Sequence, residues 1–231
     1  MSALISLLYA GKQGAMSIEI LNIDCMEYMA TQKDGAFDLA TVDPPYGIGI
    51  CGGKIGGGIC AEATIYKKFH GEDKSSPEVE YFLELQRISK NQIIWGAYHF
   101  MDKIAKGSPC WIVWDKENGA NNFADCELAW TSFKTAVRKF RFQWQGMLQG
   151  DMKNKETRIH PTQKPVKLYQ WLLTNYAKPG QRILDTHLGS GSSAIAAHYF
   201  GCDFVGCELD PYYYKAAKDR FDRETSQLSM F

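Results

Sequence analysis

The sequence predicts an α/β fold, a doubly wound and mostly parallel sheet with helices on both faces. Three observations carry this. Short apolar runs alternate with helix-length stretches along the chain. Two of the runs stop at chemistry-bearing residues: Asp43-Pro44-Pro45-Tyr46, and Asp185 ahead of a glycine turn. The composition is ordinary for a globular protein, 45% hydrophobic and 23% charged over 231 residues, which argues against disorder, collagen and coiled coil. That length is one large domain or two small ones. No apolar run approaches the ~20 residues of a membrane helix.

Residues 1–15 are briefly apolar but carry no basic residue ahead of the apolar stretch. That makes a poor signal peptide, and the segment is expected to be a dispensable leader or an upstream start, with the domain spanning 16–231. Residues 18–23 read as a strand and 25–32 as a helix. A second strand, 37–42, must end at Pro44-Pro45, because two prolines cannot continue a central strand. Residues 47–60 hold seven glycines, too many to pack a core, and read as a mobile loop. A helix over 77–90 has its proline near the first turn. Strands are expected at 92–95 and 111–114 with a helix between them, and a further strand at 127–132. In the last third, a helix over 165–177 is broken by Pro179-Gly180, and a strand at 182–185 enters the glycine turn. A helix to about 199, a strand over 204–207 and a final helix from Pro211 follow.

Lys plus Arg and Asp plus Glu both number 26, so the formal charge is zero and any charged binding surface must be local. Such a surface is expected at 134–158, where seven basic residues (Lys134, Arg138, Lys139, Arg141, Lys153, Lys155, Arg158) face two acidic ones, Asp151 and Glu156. Phe140, Phe142 and Trp144 are interleaved with them, which suits either a nucleic-acid contact or a solvated face over core aromatics. The seven cysteines are scattered without a CxxC pair, and Cys202 and Cys207 lack partner ligands nearby. Free thiols in a reducing cytoplasm are expected, with neither a zinc site nor a disulfide framework.

The run from Asp185 through Gly189-Ser190-Gly191-Ser192-Ser193-Ala194 lies between a strand and a helix. Glycines there let the backbone approach a ligand, and the helix start offers free N–H groups. Glu208 follows 23 residues after Asp185 at the next strand tip, where an acid can take both hydroxyls of a ribose. The same glycines fit the dinucleotide pattern GxGxxA, so a nicotinamide oxidoreductase stays open at this point. Asp43 supplies a carboxylate at a strand tip, Pro44 a fixed carbonyl and Tyr46 a flat ring. The first two can accept both hydrogens of a planar amine, and the third can stack on a nucleobase.

Asp43-Pro44-Pro45-Tyr46 resembles the catalytic motif of the amino-group DNA methyltransferases. The motif order is also similar to that family's beta arrangement. The catalytic motif comes first and a basic segment lies in the middle. His160-Pro161-Thr162-Gln163-Lys164-Pro165 then leads toward the cofactor half. The likeness spans residues 16–224. It implies a Rossmann-like class I methyltransferase with a seven-stranded sheet, permuted so that the catalytic half precedes the cofactor half, with a small basic target-recognition insert at about 134–158. It implies S-adenosylmethionine as cofactor. Contacts to it would come from Asp24, Cys25, Asp43, Lys164, Asp185, His187, Leu188, Gly189, Ser190, Gly191, Ser192, Glu208 and Leu209. Asp24 would approach the adenine of the cofactor. Asp43, Pro44, Pro45 and Tyr46 would be catalytic. Tyr46 with Trp114, Asp115 and Lys116 would line the target-base pocket. The chain departs from the family at Asp185-Thr186-His187-Leu188, where Asp-Pro-Phe is usual, so His187 or Leu188 must cover the position of the missing ring.

The resemblance further implies double-stranded DNA as partner, bound without a membrane in a bacterial or phage-type cytoplasm. A homodimer and a cognate restriction endonuclease are additional partners that the family admits. An aspartate at the head of the motif favours adenine N6 over cytosine N4, whose enzymes more often begin with Ser. Methyltransferases of RNA or of protein amides usually begin with Asn. The chemistry needs neither a metal nor a cysteine nucleophile. An oxidoreductase would place the glycine turn early and leave the Asp43 motif without a role.

Overall fold

Neighbouring residues of the same strand go to opposite layers, which is what a sheet buried on both faces requires. Leu39, Ile93, Ile183 and Phe204 pack in one apolar cluster, while the adjacent Ala40, Ile94, Leu184 and Val205 pack in the other. The computed structural model describes residues 16–49, 53–55, 64–66, 75–104, 106–119, 124–145 and 148–226.

In chain order, β1 (Ile18–Leu21), α1 (Cys25–Ala30) and β2 (Leu39–Val42) precede the Asp43 turn. A short antiparallel ribbon of β3 (Gly53–Ile55) and β4 (Thr64–Tyr66) follows, then α2 (Val79–Ile88) and β5 (Gln92–Trp95). Next come β6 (Trp111–Asp115), β7 (Cys126–Thr131) and β8 (Arg138–Arg141), and a ribbon of β9 (Trp144–Gln145) with β10 (Leu148–Gln149). The last third is α3 (Val166–Tyr176), β11 (Arg182–Asp185), α4 (Ser192–Phe200), β12 (Asp203–Cys207) and α5 (Pro211–Thr225).

The main sheet runs β1-β12-β11-β2-β5-β7-β6-β8, and within it only β7 is antiparallel to its neighbours. Leu168, Leu172 and Ile195 of α3 and α4, with Ala217 of α5, cover one face. Tyr28 and Met29 of α1, with Phe82 and Leu85 of α2, cover the other. The doubly wound parallel architecture is therefore the one the sequence predicts. The sheet has eight strands rather than seven. The eighth, β8, comes from the basic segment, so that segment begins inside the main sheet, pairing Ile112 with Arg138 and Asp115 with Arg141.

Local chemistry fixes the ends of these elements. Asp210 caps α5 by accepting from the Tyr212 N–H at 2.8 Å, ahead of Pro211 at the first helical position. Gly201 closes α4 at φ 82°, a left-handed conformation that a side chain would strain. The helix expected between β5 and β6 is a single 3-10 turn, Ala97–His99. Residues 1–15 lie outside the described residues. So do residues 50–52 and 56–60 of the glycine-rich loop, and with them its expected mobility. No helix among the described residues is long and apolar enough to cross a membrane.

Candidate active site

Parallel pairing sets several strand ends side by side. Asp185 lies opposite Gly206, Leu21 opposite Cys207, and Leu184 opposite Ala40. The carboxyl tips of β1, β12, β11 and β2 thus bring Asp24, Glu208, Asp185 and Asp43 to one edge, where ligands bind in open α/β sheets.

The glycine turn is held from behind. Asp185, 1% exposed, accepts from the Ser193 hydroxyl at 2.6 Å and from the His187 N–H at 3.1 Å. Burial pushes its carboxyl up to about 6. Gly189 and Gly191 sit at φ 54° and 76°. Glu208 accepts from the Gly189 N–H and the Asp210 N–H, both at 2.9 Å, and burial pushes it up to about 7. Ser190 and Ser192 point into the fold rather than outward. The fully buried Arg220 donates to the Ser190 carbonyl at 3.1 Å and the Ser192 hydroxyl at 2.9 Å, while pairing with Glu156 at 2.8 Å. His160 lies over the turn, 3.7 Å from where a side chain on Gly189 would begin.

Leu188 and His187 follow Thr186 at the head of the turn. Leu188 is core, and a Cβ on Gly206 would strike it at 2.8 Å. His187 is half-buried, with Nδ1 at 2.9 Å from the Thr186 hydroxyl, which lies 2.6 Å from the buried Tyr81 hydroxyl. Burial lowers His187 to about 4, so the ring carries no charge near pH 7. Asp24 caps α1, its Oδ1 accepting from the Met26 N–H at 2.7 Å. Cys25 follows it, half-buried, its thiol pushed up to about 12 by burial. Leu209 is 53% exposed beside Glu208.

At the Asp43 tip, the Tyr46 hydroxyl donates to Asp43 Oδ1 at 2.6 Å, and the Lys164 ammonium pairs with Oδ2. Lys164 is 5% exposed and also lies 3.1 Å from Glu127 Oε2, while Glu127 pairs through its other oxygen with Lys116. Burial would raise Glu127, but the two ammonium groups hold it far below the usual carboxylate range. The Tyr46 ring stacks on His99 with centroids 4.9 Å apart and planes 21° apart. This contact depends on Gly96 at φ 65°, since a Cβ there would fall 2.0 Å from the Tyr46 ring. Gly96→Ala therefore adds a left-handed strain of about 1–2 kcal/mol to a displaced ring, and should lower Tm by several degrees. An unchanged melting curve would mean that Tyr46 is held elsewhere.

The structure places several of the residues singled out in the sequence. Trp114 is 1% exposed with its indole N–H donating to the Phe142 carbonyl at 3.0 Å, so it is core at the end of β6. Asp115 turns to the basic strand, 3.5 Å from Lys139, and Glu117 takes Arg141 at 2.7 Å. Phe140 and Phe142 pack inward, Phe140 against Trp171 with centroids 5.5 Å apart, so of the two readings of this segment they fit the solvated face over core aromatics. The basic residues do not form one strip. Arg141 lies toward the site edge. Arg138, at the other end of β8, lines a cavity with Asn91, Phe133 and Lys178 at the opposite edge, and Lys134 lies close by in the chain. Lys153 and Lys155 are exposed, while Arg158 covers the Trp144 ring at 5.7 Å. Reasoning from sequence missed His99, Glu127, Tyr81 and Arg220.

A family model described as DNA methylase, of the N6/N4 class, matches residues 106–219. The chain is 26% identical over 249 residues to the type II methyltransferase M.HinfI of Haemophilus influenzae, covering 87% of this chain and 67% of the relative. It is 25% identical over 217 residues to the putative methylase YubD of Escherichia coli, covering 85% and 87%. Among solved structures, the M1.HpyAVI–SAM complex superposes with a TM-score of 0.55 at 21% identity, over 87% of this chain and 98% of that one. The cytosine-N4-specific PvuII DNA methyltransferase superposes at 0.58 and 12% identity, over 94% of each. At such identities these structural likenesses establish the fold.

Proposed function

Because this chain is similar to the amino-group (N6/N4) DNA methyltransferases, we propose that it methylates the exocyclic N6 of a flipped-out adenine in double-stranded DNA, using S-adenosylmethionine. The observation that carries the reading is the Asp43 carboxylate. It sits on a rigid Pro-Pro corner at the sheet edge, one strand away from the glycine turn and Asp185.

The turn fits such a cofactor. Gly189 and Gly191 keep the backbone bare, and Glu208 has its carboxylate fixed by two backbone N–H groups, ready to accept from ribose hydroxyls. When bound, S-adenosylmethionine supplies a methyl group on a sulfonium, with a neutral thioether as leaving group. The difficulty lies in the nucleophile, whose lone pair is delocalised into the base. Asp43 and the Pro44 carbonyl would accept the two amine hydrogens, favouring a pyramidal nitrogen with its lone pair free. A fixed carboxylate helps most as positive charge grows on that nitrogen. Tyr46 would stack on the flipped base, worth ~1–3 kcal/mol against a flipping cost of a few kcal/mol.

Strands lie about 4.8 Å apart, so β8 is about 19 Å from β2, close to the width of a duplex. Exposed Lys139, Arg141, Lys153 and Lys155 would meet phosphates there. The aspartate at the head of the motif favours adenine over cytosine.

Only the ionised Glu208 can accept from both ribose hydroxyls. With its proton affinity centred near pH 7, cofactor binding should weaken as pH falls through that value, by about tenfold between pH 8 and pH 6. Calorimetric titration with S-adenosylhomocysteine checks this, and Glu208→Gln should flatten the profile. Tritiated methyl transfer offered to duplex DNA, RNA and protein in parallel tests the reading. Label in the duplex is expected; label confined to RNA or protein would overturn it.

A further inference from the structure

The resting contacts of Asp43 raise a problem for the amine it is proposed to bind. Oδ1 carries the Tyr46 hydroxyl and Oδ2 carries Lys164. An amine arriving at Oδ2 must displace the ammonium, and Lys164 is 5% exposed, so its charge cannot simply turn to solvent. An ammonium left unpaired in that interior is strongly disfavoured.

A second acceptor is already in place. Glu127 Oε2 lies 3.1 Å from Lys164 Nζ, yet it is buried without a well-oriented hydrogen bond. Glu127 is there because β7 runs against the other strands, so its beginning, not its end, reaches the site edge beside Trp114. Its other oxygen pairs with Lys116. Asp43, Glu127, Lys164 and Lys116 form a quartet of two negative and two positive groups, and a shift of Lys164 toward Glu127 leaves its net charge unchanged. Resting on the amine-methylation reading, we propose that Glu127 is a positioning residue that takes over the Lys164 ammonium when the target amine claims Asp43, with Lys116 holding Glu127 in place. Burial opposes the charge on Lys164, but the carboxylates of Asp43 and Glu127 raise its proton affinity. It therefore acts as a mobile counter-ion and not as a base.

A double-mutant cycle of Glu127→Gln and Lys164→Met, read in methyl transfer to duplex DNA, tests this. In Glu127→Gln the ammonium keeps Asp43 as its only carboxylate, beside the Tyr46 hydroxyl at 3.4 Å, so kcat should fall about tenfold or more while KM for DNA stays within about threefold. In the Lys164→Met background there is nothing to hand over, and adding Glu127→Gln should change kcat by less than about threefold. A Glu127 that merely braces the fold would lower kcat by the same factor in both backgrounds, and that result overturns the proposal, as does an unchanged kcat in Glu127→Gln. Should Glu127→Gln not fold, Glu127→Asp, which draws the carboxylate back from Lys164, is expected to show the same split between kcat and KM. Failure of the wild-type protein to label DNA at all would instead refute the reading on which the proposal rests.

Discussion

Asp43→Asn should lower single-turnover methyl transfer by about 10²–10³-fold while leaving the affinity for S-adenosylhomocysteine within about threefold. Asn keeps the shape and one acceptor oxygen but removes the negative charge that opposes the positive charge growing on the amine. The fold should tolerate the change, because Lys164 retains Glu127 at 3.1 Å and Tyr46 retains its stack on His99. Asp43→Ala removes the acceptor as well and should go further. Rapid-quench transfer assays together with calorimetry separate the two effects. A variant within about tenfold of the wild-type rate, with cofactor affinity intact, would show that Asp43 is not the acceptor of the amine hydrogens.

The largest effect on stability is expected from Arg220→Met. Arg220 is fully buried and joins three parts of the cofactor half: the Ser190 carbonyl of the glycine turn, the Ser192 hydroxyl at the start of α4, and Glu156. Glu156 in turn accepts the Val166 N–H at 2.9 Å, at the start of α3. Met fills much of the volume but strands the Glu156 carboxylate, whose proton affinity burial already raises. Breaking a buried pair from one side costs about 3–5 kcal/mol, and at about 2–4 °C per kcal/mol the melting temperature should drop by roughly 6–20 °C. Cofactor affinity should weaken as well, since the turn loses its support. Adding Glu156→Gln should recover part of the loss. A Tm within about 2 °C of wild type would mean that the turn is held by other contacts.

What the sequence made legible follows the range of the interactions. Strand tips were readable because local signals mark them: Pro44-Pro45 stops β2, and the glycines after Asp185 stop β11. Parallel pairing then brings Asp43, Asp185 and Glu208 to one edge without further information. Lys164 was placed with the site through the segment that carries it, but not its contact with Asp43 across 121 residues. Glu127 and Arg220 gave no local signal at all. One is a charge in an apolar strand and the other a charge on a helix whose polar face looks solvated. Their roles arise only from packing. β8 was hidden for a related reason: Arg138-Lys139-Phe140-Arg141 reads as surface, and an edge strand carries such charges on its exposed positions. Asp24 shows a different case. It was read only as a cofactor contact, and the structure gives its Oδ1 to the cap of α1.

The proposed transfer of a methyl group at the Asp43 site to the N6 amine of adenine is tested by incubating unmethylated duplex DNA with the protein and tritiated S-adenosylmethionine, followed by digestion to nucleosides and chromatographic separation. Label is expected in N6-methyladenine for wild type, with its near-complete loss in Asp43→Asn. Label in N4-methylcytosine, or in no nucleoside, would contradict it.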